Sequence, residues 1–217
     1  MTKQFLISRP RHDKETSYLH SFSKAIVGIV RENKNIHLTE LEGEKANREN
    51  FELAMHSSHS TLAYLNGHGD EKTVFGHNDA PILDDDNIKL AREKIICALA
   101  CSSLVKLGPL AIEEGAKAYL GYRDEFMLVG DPSKSAVPDK DKNAAPFRKV
   151  CHMLINSLVS GEPAGEAIKK TKAEYKRLIR SYGTSEDDPF GDAPAIGLAL
   201  SWDLLGLDMV GDQNTTF

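Results

Sequence analysis

Long apolar runs are missing from this sequence. No stretch approaches the roughly 18 consecutive apolar residues of a membrane-spanning helix. The opening Met1–Pro10 segment has too short an apolar run for a secretory leader. Cysteine is scarce: three residues, an odd count, argue against a disulfide framework and for free thiols in a reducing compartment. Basic clusters are absent as well. Lysine and arginine number 27 against 32 acidic residues, a net charge of −5, and no stripe of one sign stands out. Internal repeats and low-complexity tracts are also missing. These absences predict a cytoplasmic chain with neither nucleic acid nor membrane among its partners.

What is present fits one globular domain spanning residues 1–217, with 41% apolar and 27% charged residues. Lys3–Ser8 is expected as a strand. Asp13–Arg31 carries Tyr18, Leu19, Phe22, Ala25, Ile26, Ile29 and Val30 at helical spacing. A strand at Ile36–Leu41, a helix at Glu44–Ser57 and a strand at Leu62–Asn66 follow. The polar spacer Asp70–Asn87 reads as a loop, with Asp84, Asp85 and Asp86 as a solvated turn. A short helical piece is expected at Asn87–Glu93, a strand at Lys94–Ala100, a helix at Leu104–Glu114 and a strand at Ala116–Tyr122. Asp131–Pro146 is turn-rich, charged and expected to be exposed and mobile. Helices at Phe147–Ser160 and Ala164–Tyr182, a loop at Gly183–Pro194, an apolar helix at Ala195–Leu205 with Trp202 in the core, and a strand at Leu207–Gly211 complete the chain. Alternating strands and helices predict an α/β class, a three-layer α/β/α sandwich around a mainly parallel six-stranded sheet.

Two apolar runs end in small-residue turns, and each turn carries a reactive side chain. The first turn is Gly67-His68-Gly69 and the second is Ala100-Cys101-Ser102-Ser103. In an open parallel sheet, ligands bind beyond the carboxyl ends of the strands. If the two strands are parallel neighbours, His68 and Cys101 meet at that edge, as a thiol nucleophile and its base require. A free thiol with a pKa of about 8.5 is mostly protonated at neutral pH, so a neighbouring imidazole is needed to take its proton. The helix expected from Leu104 would favour a thiolate at Cys101 through its N-terminal dipole. The backbone N–H groups of Gly69 and Cys101 are the candidate oxyanion donors.

This pair of turns resembles the caspase-like cysteine peptidases of clan CD, which include caspases, metacaspases, legumains, clostripain, gingipains, separases and CHAT domains. His68 matches the family's catalytic histidine and Cys101 its nucleophile. Ala100-Cys101-Ser102-Ser103 is closer to separase and CHAT sequences than to caspases. Gly115-Ala116-Lys117-Ala118-Tyr119-Leu120-Gly121 is similar to the following strand of CHAT and gingipain-like members. Trp202 and Val210-Gly211-Asp212 are similar to the end of gingipain-like domains. The caspase glutamine and glycine on either side of the cysteine are Leu99 and Ser103 here, and Leu99 also replaces the acidic substrate reader of metacaspases and legumains. The resemblance implies a cofactor-free cysteine endopeptidase acting on a protein or peptide, open to control by a regulatory protein partner. It places the specificity pocket at the loop after the fifth strand, Tyr122 to Phe126, with Tyr122, Arg123, Asp124 and Glu125 as its polar candidates, and at the spacer aspartates. The carboxylates favour a basic residue before the scissile bond, and Arg123 is the candidate for an acidic one. Self-processing is expected near Lys134, Lys140 or Lys142.

Other readings compete. A catalytically inactive interaction domain would keep the same fold. A flavodoxin-like binding domain would need a glycine-rich phosphate loop, where Ser8-Arg9-Pro10-Arg11 stands instead. Zinc could draw on His56, His59, His68 and His77, but their spacing matches no tight ligand motif, so no metal is assigned. A calcium loop at Asp84–Asp86 lacks alternating ligands and a distal glutamate. Cys97 and Cys151 read as small core residues.

Overall fold

A computed structural model describes residues 2–56, 61–182 and 191–217. Strand β1 (Lys3–Arg9) leads into helix α1 (Lys14–Glu32), β2 (Ile36–Glu42), α2 (Arg48–His56) and β3 (Thr61–Asn66). A small hairpin of β4 (Val74–Phe75) and β5 (Pro81–Leu83) precedes β6 (Ile95–Leu99), α3 (Leu107–Glu113) and β7 (Ala118–Tyr122). Helices α4 (Ala145–Val159), α5 (Ala164–Ser181) and α6 (Ala193–Gly206) follow, and β8 (Leu207–Gly211) ends the series. The main sheet runs β2-β1-β3-β6-β7-β8. Its first five strands are parallel, and β8 closes the edge antiparallel to β7. The protein is therefore an α/β/α sandwich with a mainly parallel six-stranded sheet.

The strands are apolar on both faces because both faces are covered. Phe5, Ile7, Leu62, Tyr64, Ile95, Cys97, Leu99, Leu120 and Tyr122 pack against α1, α4, α5 and α6. Leu6, Ala63, Leu65, Ile96, Ala98 and Tyr119, at the alternate positions, pack against α2, α3 and the hairpin. Cys97 and Cys151 are buried core residues. Among the described residues no helix is long and apolar enough to cross a membrane.

Several local expectations are corrected. Helix α2 starts at Arg48 rather than Glu44, because Asn47 caps it, its Oδ1 accepting from Asn50 N–H at 3.0 Å; Ser57 lies outside the described residues. The Asp70–Asn87 spacer contains the hairpin, and Phe75 N–H donates to His68 O at 2.9 Å, which braces the histidine turn. Asp84 is buried and pairs with Arg48, so the aspartate run is only partly solvated. Helix α3 starts at Leu107, not Leu104. Residues 101–106 are turns, Ser102 sits at a φ of +53°, and the N–H groups of Lys106 and Leu107 are taken by Glu71 O. Trp202, Leu198 and Leu205 lie on the exposed face of α6, not in the core. Asp131–Pro146 is exposed only in part and is pinned: Asp141, Ala144 and Pro146 are buried, and Asp141 Oδ2 accepts from Tyr18 O–H at 2.6 Å and from Asp131 N–H at 2.8 Å. Most of the expected Gly183–Pro194 loop lies outside the described residues.

Asp203 on α6 is fully buried. Its Oδ1 accepts from Met127 N–H at 2.8 Å, and its Oδ2 has no partner among the described residues. Burial pushes its carboxyl up to about 8 against the opposing Met127 hydrogen bond. The folded chain therefore holds a proton there that the unfolded chain releases near pH 4. Stability from this site is full below about pH 4 and falls as pH rises toward 8, by up to about 1.4 kcal/mol per pH unit. Asp203→Asn is expected to melt close to wild type at pH 4 and above it at pH 7.5. Thermal melts across pH check this, and an equal offset at both values would refute it.

Candidate active site

The parallel pairing of β3 with β6 runs from Leu62↔Ile95 to Asn66↔Leu99. Both chains leave the sheet at the same edge, so Gly67-His68-Gly69 and Ala100-Cys101 emerge side by side, with Gly67 N–H donating to Leu99 O at 3.3 Å. The condition set by the sequence is met. Glycine is required at both positions around the histidine. A Cβ on Gly67 would lie 2.2 Å from Phe75 O, and one on Gly69 would lie 2.7 Å from Cys101 O and 2.8 Å from Ala100 Cβ. The second contact shows how closely the two turns pack.

His68 and Cys101 line one cleft of about 80 Å³, whose walls are Leu19, Leu99, Phe126 and Leu128 with Glu15. A larger hollow between Lys72, Asp85, Lys106 and Glu113 is lined by neither a cysteine nor a histidine.

Sequence reading missed Asp13. Its carboxylate is divided between two tasks. Oδ1 accepts from Thr16 N–H at 2.7 Å and from the Thr16 hydroxyl at 2.6 Å, while the Asp13 N–H donates to Thr16 Oγ1, forming a capping box for α1. Oδ2 lies 2.6 Å from His68 Nε2. Burial raises the carboxyl, but bonds from the Thr16 side chain, His68 and the Thr16 backbone outweigh it and hold it down at about 2. A carboxylate on Nε2 fixes the tautomer with the proton there, which leaves Nδ1 as the acceptor. The available signal was position: an N-cap aspartate directly after β1, the strand beside β3, must lie at the same sheet edge.

Cys101 is half-buried. Burial pushes its thiol up, the Phe126 backbone hydrogen bond pulls it down, and the charges of Glu125 and Asp203 push it up again. The helix dipole expected to oppose this is absent at Cys101, because α3 begins six residues later and the effect fades within a turn. The resting group is thus a thiol, which would need a base to act as a nucleophile. The N–H groups of Gly69 and Cys101 donate to no backbone carbonyl among the described residues, and that of Cys101 bears on its own thiol.

The loop expected to bind substrate is only partly at the cleft. Tyr122 is buried, its hydroxyl 3.0 Å from that of Tyr175. Arg123 is turned away, its guanidinium held by Asp208 at 3.1 and 3.2 Å. Asp124 and Glu125 are exposed and do not line the cleft; their carbonyls accept from Ser102 N–H and Trp202 Nε1–H. Alternation along β7 buries Tyr122, and the neighbouring β8 supplies the partner that removes Arg123. Of the expected loop, Phe126 lines the cleft, joined by Leu128 and Glu15, and none of the spacer aspartates does. Glu15 reaches it because capping by Asp13 places the first turn of α1 over the histidine.

No protein-family model matches this sequence, and no curated protein matches it.

Gly69→Ala is expected to fold, since the residue lies in a turn outside the core, yet to displace the Ala100–Cys101 peptide. Reaction of Cys101 with a peptidyl electrophile should fall at least tenfold. A labelling rate equal to wild type, followed by intact mass, would show that the turns can separate without consequence.

Proposed function

We propose that this chain is a cysteine endopeptidase of the caspase-like type, with Cys101 as nucleophile and His68 as general base and acid. The observation that carries the reading is the meeting of the two turns at one sheet edge, with Asp13 holding His68 from behind. Cys101 Sγ attacks the scissile carbonyl carbon as its proton passes to His68 Nδ1. The Asp13 carboxylate steadies the imidazolium that forms. The N–H groups of Gly69 and Cys101 receive the oxyanion. His68 then returns the proton to the departing amine, leaving a thioester. A water deprotonated by His68 attacks that thioester, and Cys101 leaves as the thiol again. This cycle uses no metal or cofactor.

The cleft supports cleavage after a basic residue. Leu19, Leu99, Phe126 and Leu128 suit the aliphatic stem of lysine or arginine, and Glu15 suits its charged head. This moves the specificity carboxylate from Asp124 and Glu125 to Glu15. Three free cysteines are in keeping with a cytoplasmic setting. Lys134, Lys140 and Lys142 are exposed and stand as self-processing sites, for which identical intact masses of wild type and Cys101→Ala after purification would be contrary evidence.

One observation favours a second reading, an inactive interaction domain: the Cys101 thiol is pushed up by burial and acidic neighbours rather than activated at rest. Labelling with peptidyl electrophiles bearing lysine, arginine, aspartate or leucine separates the two. The peptidase reading expects adducts confined to Cys101, at least tenfold faster with a basic residue, and slowed at least tenfold in His68→Ala. Glu15→Gln should erase most of the basic preference. Asp13→Asn, which keeps a cap on α1, should slow labelling about tenfold with little change in melting temperature. Adducts spread over Cys97, Cys101 and Cys151 and indifferent to His68 would establish the second reading.

A further inference from the structure

Three side chains from two other segments, His12, Asp13 and Asp79, gather near the Nε2 edge of His68. His12 Nε2 lies 3.1 Å from Asp79 Oδ1 and 3.5 Å from Asp13 Oδ2, while His68 Nε2 lies 2.6 Å from Asp13 Oδ2. All four donor atoms fall within 4.8 Å of one another. His12 is not a loose surface residue. Its side chain is only 11% exposed, and its ring stands edge-on to the rings of His68 and His77, with centroids 6.0 and 5.2 Å away. Asp79 arrives from the loop between the hairpin strands through two consecutive left-handed residues, Asn78 and Asp79, with φ of +54° and +55°. Asparagine and aspartate adopt this region more readily than other side chains, and here it carries the Asp79 carboxylate to His12.

The catalytic cycle uses Asp13 and His68 but has no task for His12 or Asp79. With neutral imidazoles, the cluster holds two carboxylates and no positive charge, and the carboxylates repel one another. A divalent cation would balance that charge. Two imidazoles and two carboxylates suit zinc, which is tetrahedral and takes nitrogen and oxygen donors at about 2.0–2.2 Å, with ligand atoms therefore about 3.3 Å apart. The contacts of 2.6, 3.1 and 3.5 Å bracket that separation. Calcium and magnesium, which prefer oxygen ligands only, fit the set poorly.

We propose that His12, Asp13, His68 and Asp79 form a zinc site that switches off the Cys101–His68 pair. Zinc on Nε2 takes the position of the ring proton. The single proton of the neutral imidazole then resides on Nδ1, the atom that must accept the thiol proton. Nδ1–H donates but cannot accept, so the thiol keeps its proton and no thioester forms. Asp13, drawn to the metal, ceases to steady an imidazolium. The regulatory half of this inference rests on the peptidase reading above; the binding half does not.

Zinc is titrated against a chromophoric chelator with the full chain, and Cys101 labelling by a lysyl electrophile is timed with zinc and with excess chelator. One zinc per chain is expected, weakened at least tenfold in His12→Ala and in Asp79→Asn, and retained in Cys101→Ala. Labelling of wild type should slow at least tenfold in zinc and recover in chelator, while each variant, compared with its own chelator rate, should lose that response. Asp79→Asn lies on an exposed loop and serves if His12→Ala misfolds. Wild type that binds no zinc overturns the proposal, whatever the labelling shows. Zinc lost in Cys101→Ala also overturns it, because the thiol would then be the ligand. Zinc bound through His12 and Asp79, with labelling indifferent both to metal and to His68→Ala, keeps the site and overturns the switch along with the peptidase reading.

Discussion

The parallel pairing of β3 with β6 is the constraint on which the candidate site depends. Two strands that share one direction and one register end at one edge, so whatever follows Asn66 meets whatever follows Leu99. The pairing is enforced by burial on both faces. Leu62, Tyr64, Ile95 and Cys97 point to one helical layer, and Ala63, Leu65, Ile96 and Ala98 to the other. A slip of one residue would exchange these sets between layers of different shape. Close packing of Gly69 against the Ala100–Cys101 peptide turns this general register into a local one.

Asp13 links that edge to the first helix. One oxygen holds the start of α1 and the other holds His68, so the orientation of the imidazole is tied to the position of a 19-residue helix. A residue at a helix start has its backbone fixed by the turn that follows, which makes it a more rigid support than a free loop carboxylate would be. The same helix start carries Glu15 to the cleft wall and Thr16 into the capping box. His12, one residue earlier, is carried to the same carboxylate oxygen that meets His68. The cap Asp13 and the cleft-lining Glu15 are thus parts of one helix start, against which His68 rests.

The far side of the cleft is built differently. Ser102 and Leu104 donate to the carbonyls of Asp124 and Tyr122, lacing the cysteine turn to the exit from β7. Met127 in turn donates to the buried carboxyl of Asp203. The segment from Tyr122 to Leu128 is therefore held as a wall, with Phe126 and Leu128 inward and Arg123 outward on Asp208. A wall fixed at several backbone points offers shape and apolar surface, whereas the charge in the cleft comes from α1.

Much of this was legible from residue order. Helical spacing from Tyr18 to Val30, apolar runs at Leu62–Asn66 and Ile95–Leu99, and the small-residue turns around His68 and Cys101 are local patterns, and local patterns define local conformation. The rule that parallel strands present their carboxyl ends together then brought histidine and cysteine to one edge. The partners of those residues were not legible, because they are set by contacts between segments far apart in the chain. Asp13 reads as an ordinary cap until β1 lies beside β3. Asp124 and Glu125 read as pocket carboxylates until β8 takes Arg123 and the loop turns outward. His12 and Asp79 have no common feature until the hairpin folds over the first helix. Periodicity encodes which face of an element is buried; only packing decides which polar groups then meet, since a single side chain's partner depends on distances that no local pattern carries.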